Sequence, residues 1–154
     1  ECRFDGEFLV LSGQNGVRCP GPTTVFEGDQ TIWINVGGLA GDVCGRVYFW
    51  YQPAGSYVVE SCENHIELVS VTDSSRWKRL DKAEKVWEDQ FPRRLSITVK
   101  DGAVVVGIDG NDLLTSPLTE PDLEPAGTVE LASGVYGEEE GSHALFYGIE
   151  IWDS

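Results

Sequence analysis

The stretch from Arg94 to Gly110, RLSITVKDGAVVVGIDG, restricts the fold of this chain more than any other. Asp101-Gly102 suits a two-residue type I′ turn, because both central positions there need positive φ. Such a turn places Leu95 opposite Ile108, Ile97 opposite Val106 and Val99 opposite Val104. One side of the hairpin is then wholly apolar, while the other carries Ser96 with Gly107, Thr98 with Val105 and Lys100 with Ala103. A slip of one residue would turn every core side chain toward water, so turn and pattern support one register. The hairpin reads as one wall of a β-sandwich.

The rest of the chain extends the same pattern. Alternating or apolar runs separated by Gly, Pro, Asn and Asp clusters predict strands at Arg3 to Leu11, Thr23 to Phe26, Gln30 to Val36, Val43 to Tyr51, Tyr57 to Ser61 and His65 to Thr72. Two more follow the hairpin, at Thr128 to Tyr136 and Ala144 to Trp152. In Val47-Tyr48-Phe49-Trp50-Tyr51, simple alternation sets Val47, Phe49 and Tyr51 against Tyr48 and Trp50. Asp81 to Glu88 has good helix formers behind a possible Asp81 N-cap and predicts one or two helical turns. The proline-punctuated connection from Ser116 to Gly127 is expected to cross between sheets. The expected architecture is all-β: a single domain over residues 1–154, an antiparallel β-sandwich of the concanavalin-like or jelly-roll type, with at most one short helix.

Cys2, Cys19, Cys44 and Cys62 include no Cys-x-x-Cys pair, and His65 and His143 are too scattered to complete a zinc site. Two disulfides in a secreted protein are expected. Three pairings are open; Cys2–Cys19 with Cys44–Cys62 is preferred because each bond would staple neighbouring segments. A chain that starts at Glu1-Cys2 and has no methionine suits a mature form whose leader has been removed. No run approaches the roughly 18 apolar residues of a membrane helix, so no membrane insertion is expected.

With 26 acidic residues against 11 basic and a net charge of −15, the chain lacks the basic excess that a nucleic-acid surface needs. The basic residues are concentrated: Arg76, Lys78, Arg79, Lys82, Lys85, Arg93, Arg94 and Lys100 share one segment, and none follows Lys100. That segment is either a solvated mixed-charge surface or a basic lip for an anionic polymer or acidic sugar. Trp77 and Trp87 lie within it, whereas Trp33, Trp50 and Trp152 lie in strand patterns. An indole face stacks on the apolar CH face of a sugar while neighbouring polar groups bond its hydroxyls. Asp73, Arg76, Trp77, Arg79 and Trp87 are therefore candidate carbohydrate contacts; the alternative is that both indoles fold back as lids over the sandwich. Tyr136 and His143 complete the candidate ligand-binding set.

Asp109, Asn111 and Asp112 offer hard oxygen ligands for calcium, with Asp122 and Glu124 as possible contributors from the crossover; the same residues also suit a tight turn. No other cofactor is expected. Catalysis would have to use His143 and the run Glu138-Glu139-Glu140, but neighbouring glutamates in an extended run point apart, and no nucleophile elbow, zinc-protease or phosphate-loop motif is present. His65 alternates with apolar residues and reads as a hydrogen-bonded strand histidine.

Three stretches carry a resemblance: Asn64-His65-Ile66-Glu67-Leu68, the hairpin from Ile97 to Gly110, and Leu131-Ala132-Ser133-Gly134-Val135-Tyr136-Gly137. Through them the chain resembles the farnesoic acid O-methyltransferase-like domain family, a lectin-like β-sandwich module of secreted and surface proteins. Ser74-Ser75-Arg76-Trp77 stands where that family has a glycine-rich stretch with a tryptophan. The resemblance implies a recognition module, and its enzymatic name does not carry over, because fold likeness is not function. Three functions remain. The first is a secreted, non-enzymatic carbohydrate-binding module; the second is an extracellular structural or adhesion protein with an acidic surface for protein partners or calcium. A polysaccharide-active enzyme is the third.

Overall fold

A computed structural model describes residues 2–5, 8–12, 18–20, 25–37, 43–74, 76–84, 93–135 and 143–153. Fourteen strands run in chain order: β1 (Cys2–Asp5), β2 (Phe8–Ser12), β3 (Arg18–Pro20), β4 (Phe26–Glu27), β5 (Gln30–Gly37), β6 (Val43–Gln52) and β7 (Gly55–Ser61), then β8 (His65–Thr72), β9 (Lys78–Glu84), β10 (Arg93–Lys100), β11 (Ala103–Ile108), β12 (Asn111–Pro117), β13 (Ala126–Val135) and β14 (His143–Asp153). The first sheet has the order β1-β2-β14-β5-β10-β11-β12. The second has the order β3-β13-β6-β7-β8-β9, with β4 added to β13. Every pairing among the described residues is antiparallel. The two sheets stack as a sandwich, as expected.

The founding hairpin has the register expected from its turn. Leu95 pairs with Ile108, Ile97 with Val106 and Val99 with Val104. Asp101 and Gly102 both take positive φ, at 52° and 74°, as do Asp109 and Gly110 at 51° and 83°, so two Asp-Gly turns cap β11. Inward residues of both sheets make one core: Ile32, Ile34, Val36, Leu95, Ile97, Val99, Val104, Val106 and Ile108 from the first, and Val47, Phe49, Tyr57, Val59, Ile66, Leu68, Val129 and Leu131 from the second. The connection after β12 crosses to β13 in the other sheet. It is pinned at one end of the sandwich by Gly28 N–H to the Pro125 carbonyl (2.8 Å) and Leu118 N–H to the Gly102 carbonyl (2.8 Å).

Three local expectations need correction. The segment read as one strand from Arg3 to Leu11 is the hairpin of β1 and β2. Asp81 to Glu84 is not helical: it belongs to β9, which pairs along β8 through a bulge at Leu68/Val69. Leu80 and Ala83 pack against the core, and that burial outweighs a weak helical propensity; Lys85 to Glu88 lie outside the described residues. Finally, Trp50 does not continue the alternation of β6. A register shift between Phe49 and Gln52 and a φ of 48° carry its ring into the core, against Phe49 and Tyr57, and turn Tyr51 outward beside Tyr48. Gly127 makes this possible, since a Cβ there would stand 2.3 Å from the Trp50 carbonyl carbon.

Cys44 and Cys62 form a disulfide joining β6 to the end of β7. The side chains of Cys2 and Cys19 lie outside the described residues.

Candidate functional site

The candidate site lies on the outer face of the second sheet. Strand register sets two rows across it. Arg46, Glu60, Glu67 and Lys82 lie side by side on β6, β7, β8 and β9; Tyr48, Val58, Val69 and Arg79 form the next row. Tyr48, Val58, Val69 and Ala132 form a small apolar cluster on this face, with Tyr51 and Val71 against it.

Two buried carboxylates organise the polar row. Glu60, whose side chain is 2% exposed, accepts a 2.6 Å hydrogen bond from Arg46 Nε. Glu67 accepts a bond of the same length from Arg79 Nε, and this partner raises the Arg79 pKa above its already high ordinary value. Direct opposition of Glu60 and Glu67 across β7 and β8 would repel if either lacked its arginine.

Trp77 lies just before β9, which is separated from β6 by β7 and β8, yet the Arg46 guanidinium carbon sits 4.7 Å from its ring centroid. The indole and the guanidinium therefore meet above the two intervening strands. Trp77 remains 40% exposed. It is thus neither a free side chain nor a core residue: one part of the ring is held by a cation–π contact and the rest faces solvent.

Charges in this segment are largely matched. Lys82 pairs with Glu84 (3.0 Å), and that bond holds the Glu84 carboxyl below its ordinary pKa. Lys78 lies 3.8 Å from Glu120, which also accepts from Ser70 Oγ at 2.9 Å. The basic run in the sequence becomes, in three dimensions, a surface of alternating donors and acceptors.

Of the expected site residues, the structure brings Trp77 and Arg79 to this face and places Asp73 and Arg76, both exposed, in the turn before β9. Trp87 and Tyr136 lie outside the described residues. His143 opens β14 opposite Ser12, on the other sheet, and its side chain lies outside the described residues. Arg46, Glu60 and Glu67 did not figure in the expected site. Their signal is a charged residue inside an otherwise apolar strand, which burial permits only with a partner.

Two of the candidate calcium ligands have protein partners. Asp109 Oδ1 accepts from the Arg94 N–H at 3.1 Å and its other oxygen faces Arg93 Nη1 at 3.4 Å, a turn-stabilising arrangement. Asp122 instead accepts from Ser74 at 3.0 Å, on the connection anchored to the opposite end of β11. Glu60, His65 and Glu67 bring ligand atoms within 4.8 Å of one another, but the arginines already engage both carboxylates. His65 Nδ1 is hydrogen-bonded to Asn64 Oδ1 at 2.8 Å.

No protein-family model matches the chain, and no curated protein matches it by sequence at a significant level. Solved structures do match by shape. A carbohydrate binding module, CBM66 from Bacillus subtilis, aligns with a TM-score of 0.78 at 8% identity, over 98% of this chain and 90% of that one. A protein of unknown function with a galectin-like fold, also from Bacillus subtilis, gives 0.73 at 10% identity over 98% and 84%. Caenorhabditis elegans galectin LEC-6 gives 0.63 at 11% identity over 95% and 96%. These likenesses concern the fold and do not single out the farnesoic acid O-methyltransferase-like family. The chain has the β-sandwich shared by galectin-like proteins and carbohydrate-binding modules.

Proposed function

We propose that this chain is a non-enzymatic, extracellular glycan-binding module whose site is the outer face of the second sheet around Trp77. The observation that carries this reading is the half-exposed indole held by Arg46, which is itself anchored by the buried Glu60. A sugar ring stacks on the open part of the indole, and the Arg79–Glu67 pair beside it supplies a donor and an acceptor for adjacent hydroxyls. Because the cations of this face are matched by acids, the ligand is a neutral glycan rather than an acidic one. Two shape neighbours, a carbohydrate binding module and a galectin, support the same reading. The disulfide supports an extracellular setting. Among the described residues no helix is long and apolar enough to cross a membrane.

A glycan array holding neutral and acidic members, followed by titration of tryptophan fluorescence, tests the proposal. Trp77→Ala is expected to weaken binding about tenfold or more, the usual effect of removing a central aromatic contact, with the melting transition retained. Silence across the array, or capture of acidic members alone, overturns it.

A further inference from the structure

The same three-part chemistry recurs on the opposite side of the sandwich. On the outer face of the first sheet, the Arg94 guanidinium carbon lies 4.8 Å from the Trp33 ring centroid, and Arg94 Nη2 lies 3.5 Å from Glu150 Oε2. Arg46, Trp77 and Glu60 make the corresponding contacts at 4.7 and 2.6 Å. Glu150 stands opposite Trp33 across β14 and β5, and Trp152, one step along the same face, stands opposite Thr31. Trp152 is 63% exposed, more open than Trp77.

From Trp152 a row of short side chains crosses four further strands: Thr31, Thr98, Val105 and Thr115. Ser96 and Gly107 adjoin it, so the surface beside the indole is low and carries hydroxyls. Of the described charged residues on this face, Arg94 pairs with Glu150, while Lys100, two residues beyond Thr98, and Asp112, opposite Gly107, are of opposite sign, so the charges sum to zero. In a chain of net charge −15, this is a neutral face suited to an uncharged, hydroxyl-rich occupant.

We infer that the outer face of the first sheet is a second neutral-glycan site, built on Trp152 and the Trp33–Arg94–Glu150 stack, which makes a single chain bivalent. The inference rests on the reading of the first site, since it extends that chemistry to a second place. Stacked sheets lie about 10 Å apart and the two sites face away from each other. One sugar cannot occupy both, and the chain cross-links glycans without having to dimerise.

The test uses cellulose, xylan, mannan, galactan, β-glucan and inulin as probes, measuring pull-down for each and turbidity for the soluble members. The wild type is expected to bind at least one member and to raise turbidity with it. Trp77→Ala and Trp152→Ala should each keep measurable binding, weakened about tenfold, and lose the turbidity; the double variant should lose both. Arg94→Ala serves as a second probe of the new face, and thermal melts check that each variant folds. Wild-type turbidity in Trp152→Ala and Arg94→Ala overturns the inference, as does complete loss of binding in Trp77→Ala alone, which leaves the first site standing. Binding untouched by Trp77→Ala but lost in Trp152→Ala overturns the first site and keeps the second. No binding to any probe overturns both.

Discussion

The pair Arg46–Glu60 offers a demanding check, because the two partners are buried unequally. Glu60 is 2% exposed and Arg46 17%, so the bond falls between exposed ion pairs, worth about 0–1 kcal/mol, and buried ones, whose breakage costs about 3–5 kcal/mol. Arg46→Ala leaves a carboxylate that cannot reach water and that faces Glu67 directly across the strand. Its cost should be about 3 kcal/mol. Glu60→Ala leaves an arginine with a long stem that can swing its head into solvent, and should cost about 2 kcal/mol. The double variant carries neither charge, so its cost should fall about 2 kcal/mol short of the sum of the single costs. Urea unfolding of the four proteins measures the cycle. For a domain of this size, Arg46→Ala should also lower Tm by roughly 6–12 °C. A coupling under about 0.5 kcal/mol, or a Glu60→Ala cost exceeding that of Arg46→Ala, would refute the claim that a buried carboxylate anchors the site.

Gly127→Ala puts a Cβ 2.3 Å from the Trp50 backbone and should cost about 3 kcal/mol or prevent folding, whereas Gly28→Ala, at a φ of 65° with open space around it, should cost about 1 kcal/mol; thermal melts of both decide the matter. The Tyr57 hydroxyl oxygen accepts the Glu120 N–H at 3.0 Å, and burial raises its pKa above the ordinary 10.0. The folded state thus holds the phenol proton more tightly than the unfolded state. The corresponding stability is present below pH 10 and is lost as pH rises from there through the folded value. Tyr57→Phe should flatten that alkaline decline and, by orphaning the Glu120 N–H, cost about 1–3 kcal/mol at neutral pH in urea titrations. Replacing Cys44 and Cys62 together by alanine opens a loop with a sequence separation of 18 and should cost about 2–4 kcal/mol by the same assay.

The features legible in the sequence were those set by neighbours along the chain. Leu95 meets Ile108 because the Asp101-Gly102 turn and the alternation on either side act within one hairpin, and two local constraints that agree leave one register. The Cys44–Cys62 pairing follows from the adjacency of β6 and β7. Trp50 was not legible, since its inward turn depends on Gly127, far along the chain, being small enough to let the β6 backbone approach. Nor was β9: Asp81 to Glu84 has the composition of a helix turn, and only the pairing with β8 and the burial of Leu80 and Ala83 reveal it as a strand.

The site shows the same division with a larger consequence. In linear order, Arg76, Lys78, Arg79 and Lys82 form a cationic run and suggest an anionic ligand. In the sheet, Arg79 bonds Glu67 from β8 and Lys78 approaches Glu120 from the crossover, so a neighbouring strand or connection cancels much of the local charge. Arg46, isolated among aromatic residues in β6, proves to be the group that holds Trp77 over the sheet. With Lys78, Arg79 and Lys82 held by acidic partners, long-range attraction to an acidic ligand is weakened, and under the proposed reading selectivity passes to the short-range fit of hydroxyls against fixed donors and acceptors. Weak dependence of binding on ionic strength is the expected mark of such a site; a steep loss of affinity between low and physiological salt would return the basic run to its linear meaning.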